Sequence, residues 1–300
     1  MKRRDGSPFH FIEGEPRMFH LSCEVERGTV PPFHLAPERE KLMREEFSRT
    51  ARIFGVDAID ILARSRVAIF GVGGVGGYVV EALARSGVGT LDLIDCDKVS
   101  LSNINRQIIA LHSTVGKYKV QVMKERVLDI NPEAVVHAHQ CFFLPETKDE
   151  FDFSQYSYVV DAVDTVAAKI QLVMQAQEAG VPIISSMGAG NKVNPQMFEV
   201  ADIYSTSIDP LARVMRRELK KRGVRRLKVV YSKEPPIQPI EIEGAVSSSA
   251  DAAEAVQDGV RLDALRRAVP GSCAFVPSAA GLIIAGEVVK DLVSGTVNKL

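Results

Sequence analysis

The sequence of 300 residues contains no tryptophan, and aromatic residues make up only 6% of it. Cysteine is scarce too: Cys23, Cys96, Cys141 and Cys273 lie far apart, and no two form a Cys-x-x-Cys pair. That spacing argues against a structural zinc site and against a disulfide framework, and it predicts a reducing, cytoplasmic setting. No stretch has the roughly 18 uninterrupted apolar residues of a membrane span, and the N-terminus lacks a signal-peptide core, so no membrane association is expected. The formal net charge is −1. Any contact with nucleic acid must therefore come from a local patch and not from the protein as a whole.

What is present is the composition of an ordinary globular protein, 46% hydrophobic and 25% charged. The densest signal is Arg66-Val-Ala-Ile-Phe-Gly71-Val-Gly73-Gly74-Val-Gly76-Gly77. An apolar run breaks into glycines and then into the helix-like Tyr78-Val-Val-Glu-Ala-Leu-Ala. A strand, a glycine turn and a helix form a frame for a nucleotide phosphate, because the turn closes tightly and the helix N-terminus offers free N–H groups. Gly71, Gly73 and Gly76 fit Gly-x-Gly-x-x-Gly, and Asp95 follows at about the twenty-residue spacing of a ribose-binding acid. Taken alone, this turn would also suit a nicotinamide-binding Rossmann protein.

The pattern along the chain predicts an α/β fold: a Rossmann-like, doubly wound, mostly parallel sheet extended by C-terminal strands and a helix. Residues 1–37, with five prolines and no sustained period, read as an irregular extension. His10, His20 and His34 within it are spaced too widely to share a helix face and read as solvated. Residues 38–300 read as one domain. Helices are expected at 39–47 and 56–63, separated by 48–55. Strands are expected at 66–70, 90–95, 134–139, 157–161 and 182–186, and helices at 75–86, 117–130 and 165–179. Beyond Gly190, strands are expected at 197–200 and 227–231, with a helix between them that Asp209 caps and Gly223 ends. Residues 235–268 read as a mobile crossover loop, and 277–293 as a closing helix.

The chemistry lies in Asp95-Cys-Asp97 and Ser102-Asn103-Ile-Asn-Arg106-Gln107, followed by Gly116-Lys-Tyr-Lys119 and by Asp161-Ala-Val-Asp164. A hydride-transfer cofactor needs no such concentration of charged and amide groups at its phosphates, whereas cleavage of ATP does. Arg106 can fork two phosphate oxygens, and Asn103 and Gln107 can hold neighbouring ones. Lys119 starts a helix on the same crevice. Asp164, at the end of its strand, is placed to hold Mg²⁺. Each has a plain alternative: Asp164 as a helix cap, Lys119 as a solvated lysine, Arg106 in a surface ion pair.

Gly71-x-Gly73-Gly74-x-Gly76 and the motifs above together resemble the ThiF/MoeB/ubiquitin-activating-enzyme superfamily, whose members adenylate a carboxylate with MgATP. The resemblance implies that Asp95 holds the ribose, that Asp97 belongs to the same nucleotide site, that Asn103, Arg106, Gln107 and Lys119 bind phosphates, and that Asp164 binds magnesium. It implies that Arg52 is a catalytic arginine, often supplied across a homodimer interface. The zinc-binding Cys-x-x-Cys pairs and the crossover-loop cysteine of the carrier-protein-activating branches are missing. Thr50-Ala-Arg52-Ile-Phe-Gly55, Tyr156 to Asp164, Gly188-Ala-Gly190 and Asp209-Pro-Leu-Ala-Arg213 resemble the tRNA threonylcarbamoyladenosine dehydratase branch. That branch uses ATP to cyclise a threonylcarbamoyl group on the adenosine beside the tRNA anticodon. It implies tRNA as partner, and a sulfur-relay protein as a further one. Activation of a ubiquitin-like or sulfur-carrier protein is the alternative.

One feature of the residues themselves suits RNA. Arg213, Arg216, Arg217, Lys220, Lys221, Arg222, Arg225, Arg226 and Lys228 crowd one helix and the turn after it, with Glu218 the only acid. Such a strip suits a phosphate backbone, and equally a solvated helix face or dimer-interface ion pairs.

Overall fold

The computed structural model describes residues 44–240 and 270–294. The extension at 1–37, and the crossover loop beyond residue 240, lie outside the described residues. The alternating apolar runs build seven strands: β1 (Arg66–Phe70), β2 (Thr90–Ile94), β3 (Val135–His139), β4 (Tyr158–Asp161), β5 (Ile183–Ser186), β6 (Phe198–Asp202) and β7 (Lys228–Ser232). They form one sheet in the order β3-β2-β1-β4-β5-β7-β6, with β6 alone antiparallel to its neighbour. The mostly parallel, doubly wound expectation is met. Helices cover both faces, which explains why β1 and β4 are continuous apolar runs.

Seven α-helices accompany the described strands: α1 (Ser48–Phe54), α2 (Val56–Arg64), α3 (Gly76–Arg85), α4 (Lys119–Ile130), α5 (Val166–Ala179), α6 (Pro210–Lys221) and α7 (Phe275–Val293). On one face, α3 and α4 share a core with α2 and α7, built on Val67, Ile69, Leu91, Leu93 and Val160. On the other face, α5 covers Phe70 and Val159 together with Phe143, Phe151 and Phe153, and α6 packs nearby on Val229 and Tyr231. None of the described helices is long and apolar enough to cross a membrane.

Two expectations are corrected. Residues 48–55, read as a break between helices, contain α1, while 45–47 form only a 3₁₀ turn. α1 buries no residue fully and packs only Phe54 against the core, so it carries no apolar stripe long enough for a sequence pattern to reveal. β4 ends at Asp161, so Asp164 lies in the loop beyond the strand and not at its end.

The long closing helix α7 packs along α3. Near its end it is tied to the sheet through Asp291, which accepts hydrogen bonds from the Tyr158 hydroxyl at 2.6 Å and from Lys228 Nζ at 2.7 Å. Burial, and then this contact with Asp291, push the Tyr158 phenol far up. Asp291→Ala strands a buried hydroxyl and is expected to cost about 1–3 kcal/mol in urea unfolding. Tyr158→Phe in that background should recover part of the loss. Strictly additive losses in the double variant would show that the hydroxyl is not the source.

Candidate functional site

The strand order reverses between β1 and β4, since the chain runs outward from β1 through β2 to β3 and returns beside it with β4 and β5. In an open parallel sheet, the crevice at the carboxyl ends of such a pair is where ligands bind. The glycine turn stands at that point. Gly71 has φ +89°, and a Cβ on it would lie 2.5 Å from the Ala162 carbonyl oxygen, so the β1 and β4 loops touch through bare backbone. A Cβ on Gly76 would lie 1.8 Å from the Gly71 carbonyl oxygen, which forces glycine at the start of α3. Gly74 packs against Pro277 of α7 and Arg106, whereas the nearest group to the Cβ position of Gly73 is Gln107 Nε2, at 3.9 Å. No side chain caps α3; the Gly77 amide donates to the Gly73 carbonyl and the Tyr78 and Val79 amides to that of Val75, which leaves the Gly76 amide available for an anion.

Asp95 braces this turn. Its carboxylate accepts from the Val72 amide at 2.8 Å and from the Asp97 amide at 2.9 Å. Lys119, the first residue of α4, is buried and places Nζ 2.5 Å from Asp97 Oδ2 and 3.9 Å from Asp95 Oδ1. Burial raises the Asp95 pKa, and Lys119 opposes that rise. The lysine and the two acids thus form one partly screened cluster beside the phosphate turn, and Lys119 is not the solvated lysine of the plain reading.

Asn103 is buried, and its Oδ1 accepts from the Ser100 amide at 3.0 Å, closing the short turn that presents the following residues. Arg106 donates to the Ser102 carbonyl and to Asn105 Oδ1, both at 3.0 Å, and forms no ion pair with a described carboxylate. Gln107 is buried, and its Oε1 has no hydrogen-bond partner among the described residues. An incompletely paired amide facing the open side of Gly73 fits a site built to hold something further.

Asp164 is exposed and has no described partner. The N-cap of α5 is Thr165, so Asp164 is not the helix cap of the plain reading. The loop carrying Asp164 is anchored by a pair that the sequence reading did not single out. Lys169 Nζ donates to both Asp161 oxygens at 3.1 Å and to the Ser186 carbonyl at 2.7 Å, all of it buried. Burial raises the Asp161 pKa, and Lys169 opposes that. A lone lysine on the buried stripe of α5, between Ala168 and Leu172, was the available signal.

Arg52 is exposed on α1, well before β1, and has no described partner. The basic residues divide into groups. Arg216 donates to the Thr206 carbonyl at 2.9 Å and to the Thr206 hydroxyl, which ties it to its own fold. Arg217, Lys221 and Arg222 all pair with Glu218, whose carboxyl is held down to about 2, chiefly by Lys221 and Arg222. Arg213, Lys220 and Arg225 are exposed with no described partner.

The ThiF family model matches residues 47–299. The chain is 44% identical over 251 residues to the tRNA threonylcarbamoyladenosine dehydratase of Bacillus subtilis, spanning 83% of this chain and 95% of that one. To the enzyme of the same name from Escherichia coli it is 40% identical over 177 residues, 59% of this chain and 66% of that one. Among solved structures, the E. coli tRNA N6-threonylcarbamoyladenosine dehydratase TcdA in complex with ATP superposes with a TM-score of 0.71 at 31% identity, covering 84% and 95% of the two chains.

Lys119→Met leaves Asp95 and Asp97 unopposed next to the turn, and their charge repels a polyphosphate. The affinity for ATP, measured by titration calorimetry, is expected to fall at least about tenfold, or ~1.4 kcal/mol. Adding Asp97→Asn should restore part of it, and unchanged affinity in Lys119→Met would remove Lys119 from the site.

Proposed function

The chain belongs to the ThiF family, and on that premise we propose that it is an ATP-dependent tRNA threonylcarbamoyladenosine dehydratase. The observation that carries this reading is the 44% identity spanning 95% of a dehydratase of that name. The convergence of Gln107, Lys119 and the Asp164 loop on one glycine turn supports it. A reducing cytoplasm suits the described cysteines, Cys96, Cys141 and Cys273, all of which are free.

In this reading the threonyl carboxylate of the modified adenosine attacks the α-phosphate of ATP. The turn from Gly71 to Gly77, with the unpaired Gly76 amide at the start of α3, cradles the phosphates, while Asp95 keeps the turn closed and Asp97 and Lys119 pair beside it. Arg106 supplies a fork of donors, Lys119 offsets the charge that develops, and Asn103 and Gln107 hold neighbouring oxygens. The exposed, unpaired Asp164 would hold Mg²⁺, which supplies charge neutralisation at the polyphosphate. Arg52, outside this cluster, would serve the site of a second copy in a homodimer. Activation as an adenylate expels pyrophosphate. A nucleophilic atom of the substrate's own carbamoyl group then attacks the activated carbonyl and gives up its proton, AMP leaves with the former carboxylate oxygen, and a ring closes. Water is lost in net terms and no enzyme nucleophile is needed.

The exposed residues Arg213, Lys220 and Arg225 would position the tRNA backbone. Arg216 contributes through the fold.

The direct test incubates the protein with ATP, Mg²⁺ and tRNA bearing threonylcarbamoyladenosine and weighs the nucleoside for loss of one water. Asp164→Ala and Arg106→Ala should each lower turnover by at least about 10²-fold with the fold intact. Unimpaired turnover in either variant removes that residue from the mechanism. Pyrophosphate exchange driven by a carrier protein ending in Gly-Gly, and not by tRNA, would replace the reading.

For the RNA contact, Arg213→Glu, Lys220→Glu and Arg225→Glu together should weaken tRNA binding and flatten its dependence on log salt by about 0.7–0.9 per lost phosphate contact. An unchanged slope would confine the strip to a structural role.

A further inference from the structure

A second group of buried charges lies on the same edge of the sheet and is not used by the mechanism above. Lys192, in the loop after β5, is 3% exposed, and Asp209, ahead of α6, is 1% exposed. Lys192 Nζ donates to the Glu234 carbonyl at 2.7 Å and lies 4.0 Å from Asp209 Oδ2. Asp209 Oδ1 accepts from the Ala212 amide at 2.8 Å and so caps α6, the helix of the basic strip. Lys192 is the only cation within ion-pair distance of Asp209 among the described residues.

The backbone at both ends of this pair is strained. Only two non-glycine described residues have positive φ: Asn191 at 57° and Ile208 at 63°. Each directly precedes one member of the pair. A left-handed isoleucine is costly, and here the Asp209 amide closes a three-residue turn around it by donating to the Ser207 carbonyl at 2.5 Å. Strain of that kind persists only where the surroundings over-determine the conformation.

The loop is also joined to the phosphate side. The Asn191 amide donates to the Gly271 carbonyl at 2.8 Å, and Asn191 Oδ1 accepts from the Gly271 amide at 2.6 Å. The next residue, Ser272, accepts through its carbonyl from Asn105 Nδ2 at 3.0 Å, beside Arg106. Hydrogen bonds therefore run from beside Arg106 to the Lys192 loop, and the last step to the cap of α6 is the 4.0 Å charge contact of Lys192 with Asp209 Oδ2, a buried oxygen with no hydrogen-bond partner among the described residues.

We propose that Lys192 is a positioning residue for the RNA: through its buried pairing with Asp209 it locks the N-terminus of α6, and so the basic strip, to the β5 loop on the edge that carries the glycine turn. This rests on the dehydratase reading. It assigns Lys192 the register between the bound tRNA and the nucleotide, not a contact with either.

The test is Lys192→Met, Lys192→Arg and the double variant Lys192→Met/Asp209→Asn, in which asparagine keeps the helix cap, the Asp209 charge leaves with its partner, and the buried Glu234 carboxylate keeps the Val193 and Asn194 amides. If Lys192→Met does not fold, the double variant carries the test. Expected for Lys192→Met and for the double variant is a fall in kcat on modified tRNA of at least about 30-fold, because small misplacement of a reacting group is expensive. The KM for tRNA and the Kd for ATP should stay within about threefold, and Lys192→Arg should recover most of the rate. Active sites are counted by ATP stoichiometry. A loss that merely tracks that count, or a double variant with kcat within threefold of the parent, overturns the proposal. If the parent binds tRNA without releasing water from it, the dehydratase reading fails separately, and a backbone footprint then decides. Anticodon-loop protections shifted in the double variant support the positioning role, and identical protections overturn it.

Discussion

The constraint on which the rest depends is the contact of bare backbone between the β1 turn and the β4 loop. A Cβ at Gly71 would lie 2.5 Å from the Ala162 carbonyl oxygen, and one at Gly76 would lie 1.8 Å from the Gly71 carbonyl oxygen. No side chain survives at either position without moving main chain. The two loops that flank the switch point are therefore fixed relative to each other before any side chain acts. Asp164, two residues beyond Ala162, inherits its place from that contact. So does the N-terminus of α3, whose position follows from the turn entering it.

Around this frame the charged groups sit in buried or half-buried clusters, which is a poor way to gain stability. Taking two ions out of water costs about as much as their attraction returns. What such pairs provide is direction. Lys169 reaches three oxygens on two strands and holds β4 and β5 together at the ends where the Asp164 and Lys192 loops leave the sheet. Lys119 gathers the loop after β2 onto the start of α4, and Asp95 in turn grips the Val72 amide within the glycine turn. The loops on this edge are thus held by polar bonds of fixed geometry, whereas apolar packing alone would let them slide.

Much of this was legible in the sequence, for reasons that can be named. Strands buried on both faces announce themselves as apolar runs, so β1 and β4 were plain. α6 carried its punctuation in Asp209, Pro210 and Gly223, and the Asp209 cap is present. α1 does not show in the pattern because none of its residues is fully buried and only Phe54, at its last position, packs on the core, which is too little to leave a period. Asp161 and Asp164 are both acids of one short motif, yet one is wholly buried against Lys169 and the other is exposed. Spacing along a chain cannot make that distinction, because it depends on where β4 ends and on a lysine from the next helix. Similarly, the basic cluster was visible only as charge.

The structure makes the difference between charge and available charge. Glu218 draws three cations to itself, and Arg216 is spent on Thr206. These bonds take nothing from the net charge of the strip, but they fix four of its side chains against their own helix and turn. A phosphate approaching the helix meets those groups through the donors that Glu218 and Thr206 leave over and in the orientation these partners set, whereas Arg213, Lys220 and Arg225 can meet it with only the entropy of ordering a side chain. Nine basic residues in sequence therefore act as a scaffold of braced ones presenting a few that are free. A strip built this way reads backbone position, not bases, and is useful only if the helix bearing it is held in register with the nucleotide. That requirement gives the strained, buried connection between the β5 loop and the cap of α6 a physical purpose.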